Sequence, residues 1–246
     1  MSQPRPYIAV TPHRPAEPTG APVLLIHGFY SSGANDWPDD KWGEELVHKG
    51  RAAIVIDLPA HGSSARVGDT KSATTTRVIE AIADLVAKEG RPVDVIGYSL
   101  GARLAWSFAS RHPGLVNSAL LAGLSPGDPF AVIDYKAART FADEGTPPSD
   151  KMTAMIVGMA VGPDKDSHSL INLMEGLGSE PFDPGAEAPK CPVLFVAGSE
   201  DQVAGGIDAL EAHATGARTE RVPGDHFSAL HGQEFRKAAF RFLGLN

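Results

Sequence analysis

Short runs of apolar residues alternate with longer segments of helical periodicity along this chain of 246 residues. Within each run the hydrophobicity is continuous, which is typical of strands that are covered on both faces in a parallel sheet. Six runs predict strands, at residues 23–26, 53–56, 93–96, 119–122, 193–197 and 219–222. Because helical segments fill most of the gaps between them, the pattern predicts a doubly wound α/β sheet.

Three segments have the spacing of amphipathic helices. Apolar residues recur at helical intervals over 74–88, 100–112 and 233–243. Pro113 directly follows the second segment, and a proline ring ends a helix. We therefore predict a helix over each of these segments.

Residues 125–189 break this rhythm, because they contain no strand-like run and are rich in Gly and Pro. An irregular stretch of this length between two strands is usually functional when it is ordered. It follows the fourth predicted strand, at the sheet edge where ligands bind in such folds. We predict a lid that is inserted into a core of residues 1–124 and 190–246, with short helices at 135–141, 152–161 and 170–174.

The segment Gly97-Tyr98-Ser99-Leu100-Gly101 joins the third predicted strand to a predicted helix. A serine on a strained turn between a strand and a helix is the arrangement of a nucleophile elbow. Glycine suits both flanking positions, because a side chain there would collide with the neighbouring strand and helix. The following helix begins beside Ser99 and directs free N–H groups towards an oxyanion. The alternative is a turn whose serine only caps the helix.

A serine hydroxyl needs a base, and the base needs an acid that orients it. Asp201 follows the fifth predicted strand and His226 follows the sixth. Because parallel strands end at the same edge of a sheet, we expect both to lie above one cleft with Ser99. Glu200 is an alternative acid, and His231 is an alternative base. Asp225 is poorly placed to orient His226, because the two residues are adjacent in the sequence.

The backbone N–H of Leu100 is the first predicted donor to an oxyanion, because it follows the nucleophile. The second donor is expected in the loop after the first strand, at Phe29, with Tyr30 as the alternative. We expect Tyr30, Tyr98, Met155 and Met159 to contact the substrate, since methionine side chains in the lid adapt to varied apolar groups.

Composition and charge exclude several classes of function. The formal net charge is −8 and no Lys/Arg run is present, which argues against nucleic acid as a partner. Cys191 is the only cysteine, so no internal disulfide can form. We predict no metal or cofactor, and we interpret His27, His61 and Asp57 as residues that fix loops. No apolar run approaches the roughly 20 residues of a membrane span.

Residues 1–22 are rich in proline and lack the apolar segment of a secretory signal. We therefore expect a cytoplasmic protein. The oligomeric state stays open, because nothing in the pattern of residues bears on it.

Five motifs in this order resemble the α/β-hydrolase superfamily over roughly residues 22–243: His27-Gly28-Phe29, the turn at 57–64, the elbow at 97–101, and the segments 198–201 and 224–227. The resemblance implies an α/β-hydrolase fold, with a mostly parallel sheet of about eight strands and a cap inserted after the strand near 118–122. It also implies a Ser99–His226–Asp201 catalytic triad. The serine nucleophile differs from the Asp of the family's dehalogenases and epoxide hydrolases.

We accordingly predict a serine esterase that cleaves a small to medium, largely uncharged carboxylic ester through an acyl-enzyme. The segment 97–103 is also similar to the SHCHC synthases of menaquinone biosynthesis, lyases that eliminate pyruvate with the same triad. Those enzymes have glycine where Ala102 stands, and their caps supply several arginines, whereas the predicted lid contains only Arg139. The lyase is therefore the alternative. A non-catalytic ligand-binding protein of this fold is a further alternative, although no triad residue is missing.

Overall fold

The computed structural model describes residues 5–245, which contain a sheet of seven strands. All six predicted strands are present, some of them extended by one to three residues. The sheet has the order β1-β3-β2-β4-β5-β6-β7. Its strands are β1 (Ala9–His13), β2 (Val23–Ile26), β3 (Ala53–Asp57), β4 (Val93–Tyr98), β5 (Val116–Ala122), β6 (Val193–Gly198) and β7 (Arg218–Val222).

Strand β1 was not predicted, and it is the strand that makes the sheet mixed. It pairs antiparallel with β3, whereas all other pairs are parallel. Its residues are exposed or half-buried, so it lacks the continuous apolar run of an interior strand. Pro12 is compatible with this position, because an edge strand can leave one N–H site unpaired.

Helices cover both faces of the sheet, which explains the continuous hydrophobicity of the strands. In β2, Leu24 and Ile26 belong to one apolar cluster, while Val23 and Leu25 belong to the other. The helices are α1 (Gly33–Asp36), α2 (Gly43–His48), α3 (Thr75–Ala87), α4 (Leu100–Arg111), α5 (Tyr135–Glu144), α6 (Lys151–Ala160), α7 (Ser167–Gly178), α8 (Ser228–His231) and α9 (Gln233–Phe242). Short 3₁₀ segments lie at Thr70–Ala73, Pro129–Val132 and Ile207–His213. None of the helices within residues 5–245 is long and apolar enough to cross a membrane.

The segment between β5 and β6 contains α5, α6 and α7, and each is longer than, or shifted from, the predicted helix. Helix α7 packs on the loop that precedes α3 through side-chain hydrogen bonds. The Ser169 hydroxyl accepts from the Val67 N–H at 2.7 Å, and the Asn172 amide donates to the Val67 carbonyl at 2.9 Å. These contacts fix α7 to the core, whereas Met152 and Met155 of α6 are exposed.

Candidate active site

Ser99 occupies a strained turn between β4 and α4. Its backbone has φ 53° and ψ −113°, a region that residues with a side chain rarely adopt. A Cβ at Gly97 would collide with the Gly101 carbonyl, and one at Gly101 would collide with the Ile26 carbonyl. Glycine is therefore required at both flanking positions, as the sequence pattern predicted.

Ser99, His226 and Asp201 form one hydrogen-bonded chain of side chains. The Nε2 atom of His226 lies 3.0 Å from the Ser99 Oγ, and its Nδ1 atom lies 2.9 Å from the Asp201 Oδ2. Because a carboxylate only accepts hydrogen bonds, Nδ1 carries the proton and Nε2 is left as the acceptor. The arrangement can therefore take a proton from the serine hydroxyl.

Asp201 is held in place by the turn that follows β6. Its side chain is 0% exposed, and its Oδ1 accepts from the N–H groups of Val203 at 2.9 Å and Ala204 at 3.0 Å. Burial raises the pKa of this carboxyl, but the hydrogen bonds from His226 and Ala204 outweigh burial and leave the pKa below its usual value. Asp201 is thus ionised near neutral pH.

The alternative acids and base lie elsewhere. Glu200 and His231 are exposed. The Asp225 carboxylate accepts from the N–H groups of Phe227 at 3.0 Å and Ser228 at 2.8 Å. This carboxylate therefore stabilises the turn at 225–228 and does not contact the His226 ring through these bonds. The structure brings Asp201, and not these residues, to His226.

The loop after β2 passes directly beside Ser99. A Cβ at Gly28 would lie 3.5 Å from the Ser99 Cβ. In the part of the chain that the structure describes, the N–H of Phe29 has no hydrogen-bond partner, and the N–H of Leu100, the first residue of α4, has no acceptor within its helix. The Tyr30 N–H donates to the His61 Nε2 at 2.9 Å, so it is already used. Phe29 and Leu100 are the available donors.

Two buried histidines hold this loop through backbone hydrogen bonds. His27 donates from Nδ1 to the Gly28 carbonyl at 2.7 Å, and its Nε2 accepts from the Leu58 N–H at 2.9 Å. His61 donates in the same way to the Pro59 carbonyl at 2.9 Å. The prediction that these histidines fix loops is confirmed.

Asp57 has the same kind of role. Its carboxylate accepts from the N–H groups of Gly33 and Ser63, each at 2.7 Å. No group of three His, Cys, Asp or Glu side chains within residues 5–245 is arranged to hold a metal ion.

A sequence model of the family described as alpha/beta hydrolase fold matches residues 21–153, more than half of the chain. The chain belongs to the α/β-hydrolase family. It is 33% identical over 106 residues to a putative 2-succinyl-6-hydroxy-2,4-cyclohexadiene-1-carboxylate synthase of Bacillus subtilis. These aligned residues are 43% of this chain and 37% of that protein. The chain is 32% identical over 108 residues to a pimeloyl-[acyl-carrier protein] methyl ester esterase of Chromobacterium violaceum, covering 44% and 38%.

Solved structures agree with the fold. A thermophilic esterase from Thermogutta terrifontis superposes with a TM-score of 0.74 at 19% identity, covering 99% of this chain and 98% of that one. At this identity the likeness shows the fold alone. The aligned regions span only 37% of the length of the first two curated relatives. The α/β-hydrolase fold is confirmed, with seven strands in the described residues where the resemblance implied about eight.

Tyr98, which was expected to contact the substrate, is almost fully buried beside His226. It is 4% exposed, and its hydroxyl donates to the His226 carbonyl at 2.8 Å. Its ring also lies against the ring of Phe235, with centroids 5.8 Å apart. Tyr98 therefore supports the loop that carries His226, because its polar group is committed to the backbone.

The other expected contact residues differ in their surroundings. The Tyr30 ring lies 4.0 Å below the Nζ atom of Lys165, and this amine donates to the Met159 carbonyl at 2.9 Å. Tyr30 and Met159 thus share Lys165 as a neighbour. Met155 is 62% exposed.

Phe227 was missed as a candidate contact residue. It is 71% exposed, and its ring lies 5.6 Å from that of His226. Its signal in the sequence is an aromatic residue directly after the candidate base, in an otherwise polar loop.

The buried histidines predict a specific acid sensitivity. Burial lowers the pKa of His27 to about 4 and that of His61 to about 3, from 6.5. Between these values and 6.5 the unfolded chain binds more protons, so the free energy of unfolding falls as the pH is lowered. Each histidine contributes a slope of about 1.4 kcal/mol per pH unit in this window.

Denaturant unfolding of His61→Gln between pH 4 and 7 should therefore show a slope smaller by about that amount. His168→Gln is the control, because His168 is exposed. An unchanged slope in His61→Gln would contradict the assignment of a neutral, buried His61.

Proposed function

We propose that this protein is a serine esterase that cleaves a carboxylic ester through an acyl-enzyme intermediate. Ser99 is the nucleophile, His226 is the base and Asp201 orients the base. The observation that carries this proposal is the 3.0 Å contact between the Ser99 Oγ and the His226 Nε2. The other ring nitrogen of His226 is hydrogen-bonded to the buried Asp201 carboxylate.

In the first half-reaction, the Ser99 Oγ attacks the ester carbonyl while the His226 Nε2 takes its proton. The carbonyl electrons move to oxygen, and this oxyanion accepts hydrogen bonds from the N–H groups of Phe29 and Leu100. Removing one such donor typically costs about 3 kcal/mol of transition-state stabilisation. Collapse of the intermediate breaks the bond to the alcohol, which leaves with the proton from His226.

In the second half-reaction, water attacks the acyl-enzyme. His226 takes one proton from that water and returns it to Ser99 as the acid leaves. Asp201 stays ionised throughout and stabilises the imidazolium that forms twice in each turnover. Its buried position and its pKa, which lies below the usual value, support this role.

The substrate is proposed to be a small or medium ester without charge near the scissile bond. Support comes from the exposed apolar side chains of Met155 and Phe227, and from the half-exposed ring of Tyr30. Residues 125–189 are proposed to act as the lid that completes this pocket. The name of the methyl ester esterase among the relatives points to the same bond type.

The lyase alternative is supported by the name of the Bacillus subtilis relative. A polyanionic substrate would need cationic side chains that are not already paired. Arg103 is paired with Asp128, and Arg139 is paired with Glu175 and Asn172. Both arginines that could serve this role are neutralised by carboxylates, so we place the ester hydrolase first. A non-catalytic binding role would require that the Ser99–His226–Asp201 chain be inert.

A fluorophosphonate probe should label the protein once, on the peptide that contains Ser99. Ser99→Ala should abolish labelling and lower the turnover of a chromogenic ester by at least about 10³-fold, since loss of a triad serine removes covalent catalysis. Ser199→Ala is the control and should still be labelled, because Ser199 is an exposed serine at the same sheet edge. Labelling of folded protein at a different residue would refute the proposed nucleophile.

Asp201→Asn should lower kcat by about 10⁴-fold with little change in KM, because the amide favours the wrong imidazole tautomer. Glu200→Gln is the matched control one residue away, and it should retain nearly full activity. Steady-state kinetics with one ester decide between them. The reverse pattern would transfer the orienting role to Glu200.

Acyl chain length should separate the esterase from the lyase. With p-nitrophenyl esters of increasing acyl length, kcat/KM should rise until the pocket is full, at up to about 0.8 kcal/mol per buried methylene. The pyruvate-eliminating substrate of SHCHC synthases should show no turnover. A flat ester profile together with pyruvate release would favour the lyase.

A further inference from the structure

We propose that Arg103 and Asp128 are positioning residues of the proposed esterase. Through Phe130, they fix the loop that carries the Phe29 N–H relative to Ser99. The inference rests on the proposed function only for its effect on turnover. Its structural content concerns how three separate segments of the chain are held together.

Arg103, the cation of the ion pair, lies one helical turn after the candidate nucleophile. Arg103 lies on α4, and its backbone N–H donates to the Ser99 carbonyl at 3.0 Å. Its Nε and Nη2 atoms both contact the Asp128 Oδ2, at 3.1 and 2.7 Å. The side chains are 5% and 3% exposed. The contact is therefore shielded from water and salt.

The pair also binds the backbone at both ends of the segment between β5 and β6. At its start, the Asp128 Oδ1 accepts from the Phe130 N–H at 2.9 Å. At its end, the Asp128 Oδ2 accepts from the Phe182 N–H at 2.7 Å. The Arg103 Nη2 donates to the carbonyls of Leu177 at 3.0 Å and Glu180 at 3.1 Å. One ion pair thus joins α4 to both ends of the predicted lid.

Phe130 transmits this restraint to the loop after β2. Its ring contacts the Phe29 ring in an edge-on arrangement, with centroids 5.4 Å apart. The Phe29 ring also lies edge-on to the His61 ring, with centroids 5.6 Å apart. Phe29 therefore contacts one residue whose backbone N–H is bound by Asp128 and another whose ring accepts from the Tyr30 N–H. The Phe29 N–H, which has no partner in the described residues, is positioned as a consequence.

Stability alone does not explain a buried pair of this kind. The Nη1 atom of Arg103 is buried and has no hydrogen-bond partner within residues 5–245. A buried pair with an unsatisfied donor is often no more stabilising than apolar residues of the same volume. Its directional bonds to four backbone groups, by contrast, specify one arrangement of the chain.

The test replaces the pair without leaving an unpaired buried charge. The double variant Arg103→Met/Asp128→Leu should stay folded at the assay temperature but with a lowered melting temperature, because the apolar pair removes the partners of four backbone groups. It should lose about 10- to 100-fold in kcat, the scale of an effect from a small misplacement, while KM for a short ester changes less than about threefold. The control is Arg139→Met, which removes a half-exposed arginine–carboxylate pair in the same segment and should change neither kcat nor KM.

Hydrogen exchange gives a second readout that does not depend on activity. In the double variant, backbone exchange in peptides covering residues 27–31 should accelerate, whereas it should not in Arg139→Met. Faster exchange supports the positioning role even if the parent protein hydrolyses no ester. A parent protein without ester hydrolysis would refute the proposed function and leave the positioning role intact. A folded double variant with unchanged exchange and unchanged kcat would overturn the inference.

If the double variant does not fold, Arg103→Lys replaces it, because lysine keeps the charge but loses the forked geometry. The same acceleration of exchange is expected. A rise in KM that is confined to anionic substrates, with unchanged exchange, would mean that Arg103 binds substrate directly and would also overturn the inference.

Discussion

The close approach of β4, α4 and β2 around Ser99 is the constraint on which the site depends. A residue with a side chain held at φ 53° costs about 1–3 kcal/mol, and it persists only where its surroundings dictate it. Here the Ser99 N–H donates to the Ala122 carbonyl at 2.8 Å, and Gly101 packs against the Ile26 carbonyl. Because Ile26 and Ala122 are fully buried in central strands of the sheet, their packing offsets the strain. The hydroxyl is thereby directed away from the core and towards His226.

Around this turn, loops are held by polar side chains that bond to the backbone. His27 and His61 each use one ring nitrogen as donor and the other as acceptor. An imidazole can do both only while it is neutral, and burial keeps it neutral by lowering its pKa. Two loops far apart in sequence, at 27–30 and 57–61, are therefore joined by two neutral imidazoles.

Much of this architecture could be predicted from the sequence, because it is encoded locally. The six interior strands are continuous apolar runs, and Gly97 and Gly101 mark a turn that only glycine permits. Strand β1 escaped prediction because an exposed edge strand has no apolar signature. The candidate triad Ser99, Asp201 and His226 could be predicted because each residue follows the end of a predicted strand.

Other features depend on contacts between distant residues, which no local pattern encodes. The Tyr98 hydroxyl reaches a carbonyl 128 residues away, so a residue that looked like a substrate contact supports His226 instead. Arg103 meets Asp128 and backbone 74 to 77 residues further on, which no pattern in the sequence indicated. Predicting either would require the packing of the segment between β5 and β6. Its helices were recognised, but not their partners.

Two unlike contacts hold that segment near Ser99, one to α4 and one to the loop after β2, and they differ in strength. At the base, the Arg103–Asp128 pair is buried, and removing one partner of such a pair costs about 3–5 kcal/mol. At the surface, Lys165 lies over the half-exposed ring of Tyr30, a contact worth about 0.5–1 kcal/mol. Thermal motion can break the second contact without disturbing the first. The segment between β5 and β6 is therefore held more tightly beside Phe29, through Asp128 and Phe130, than beside Tyr30.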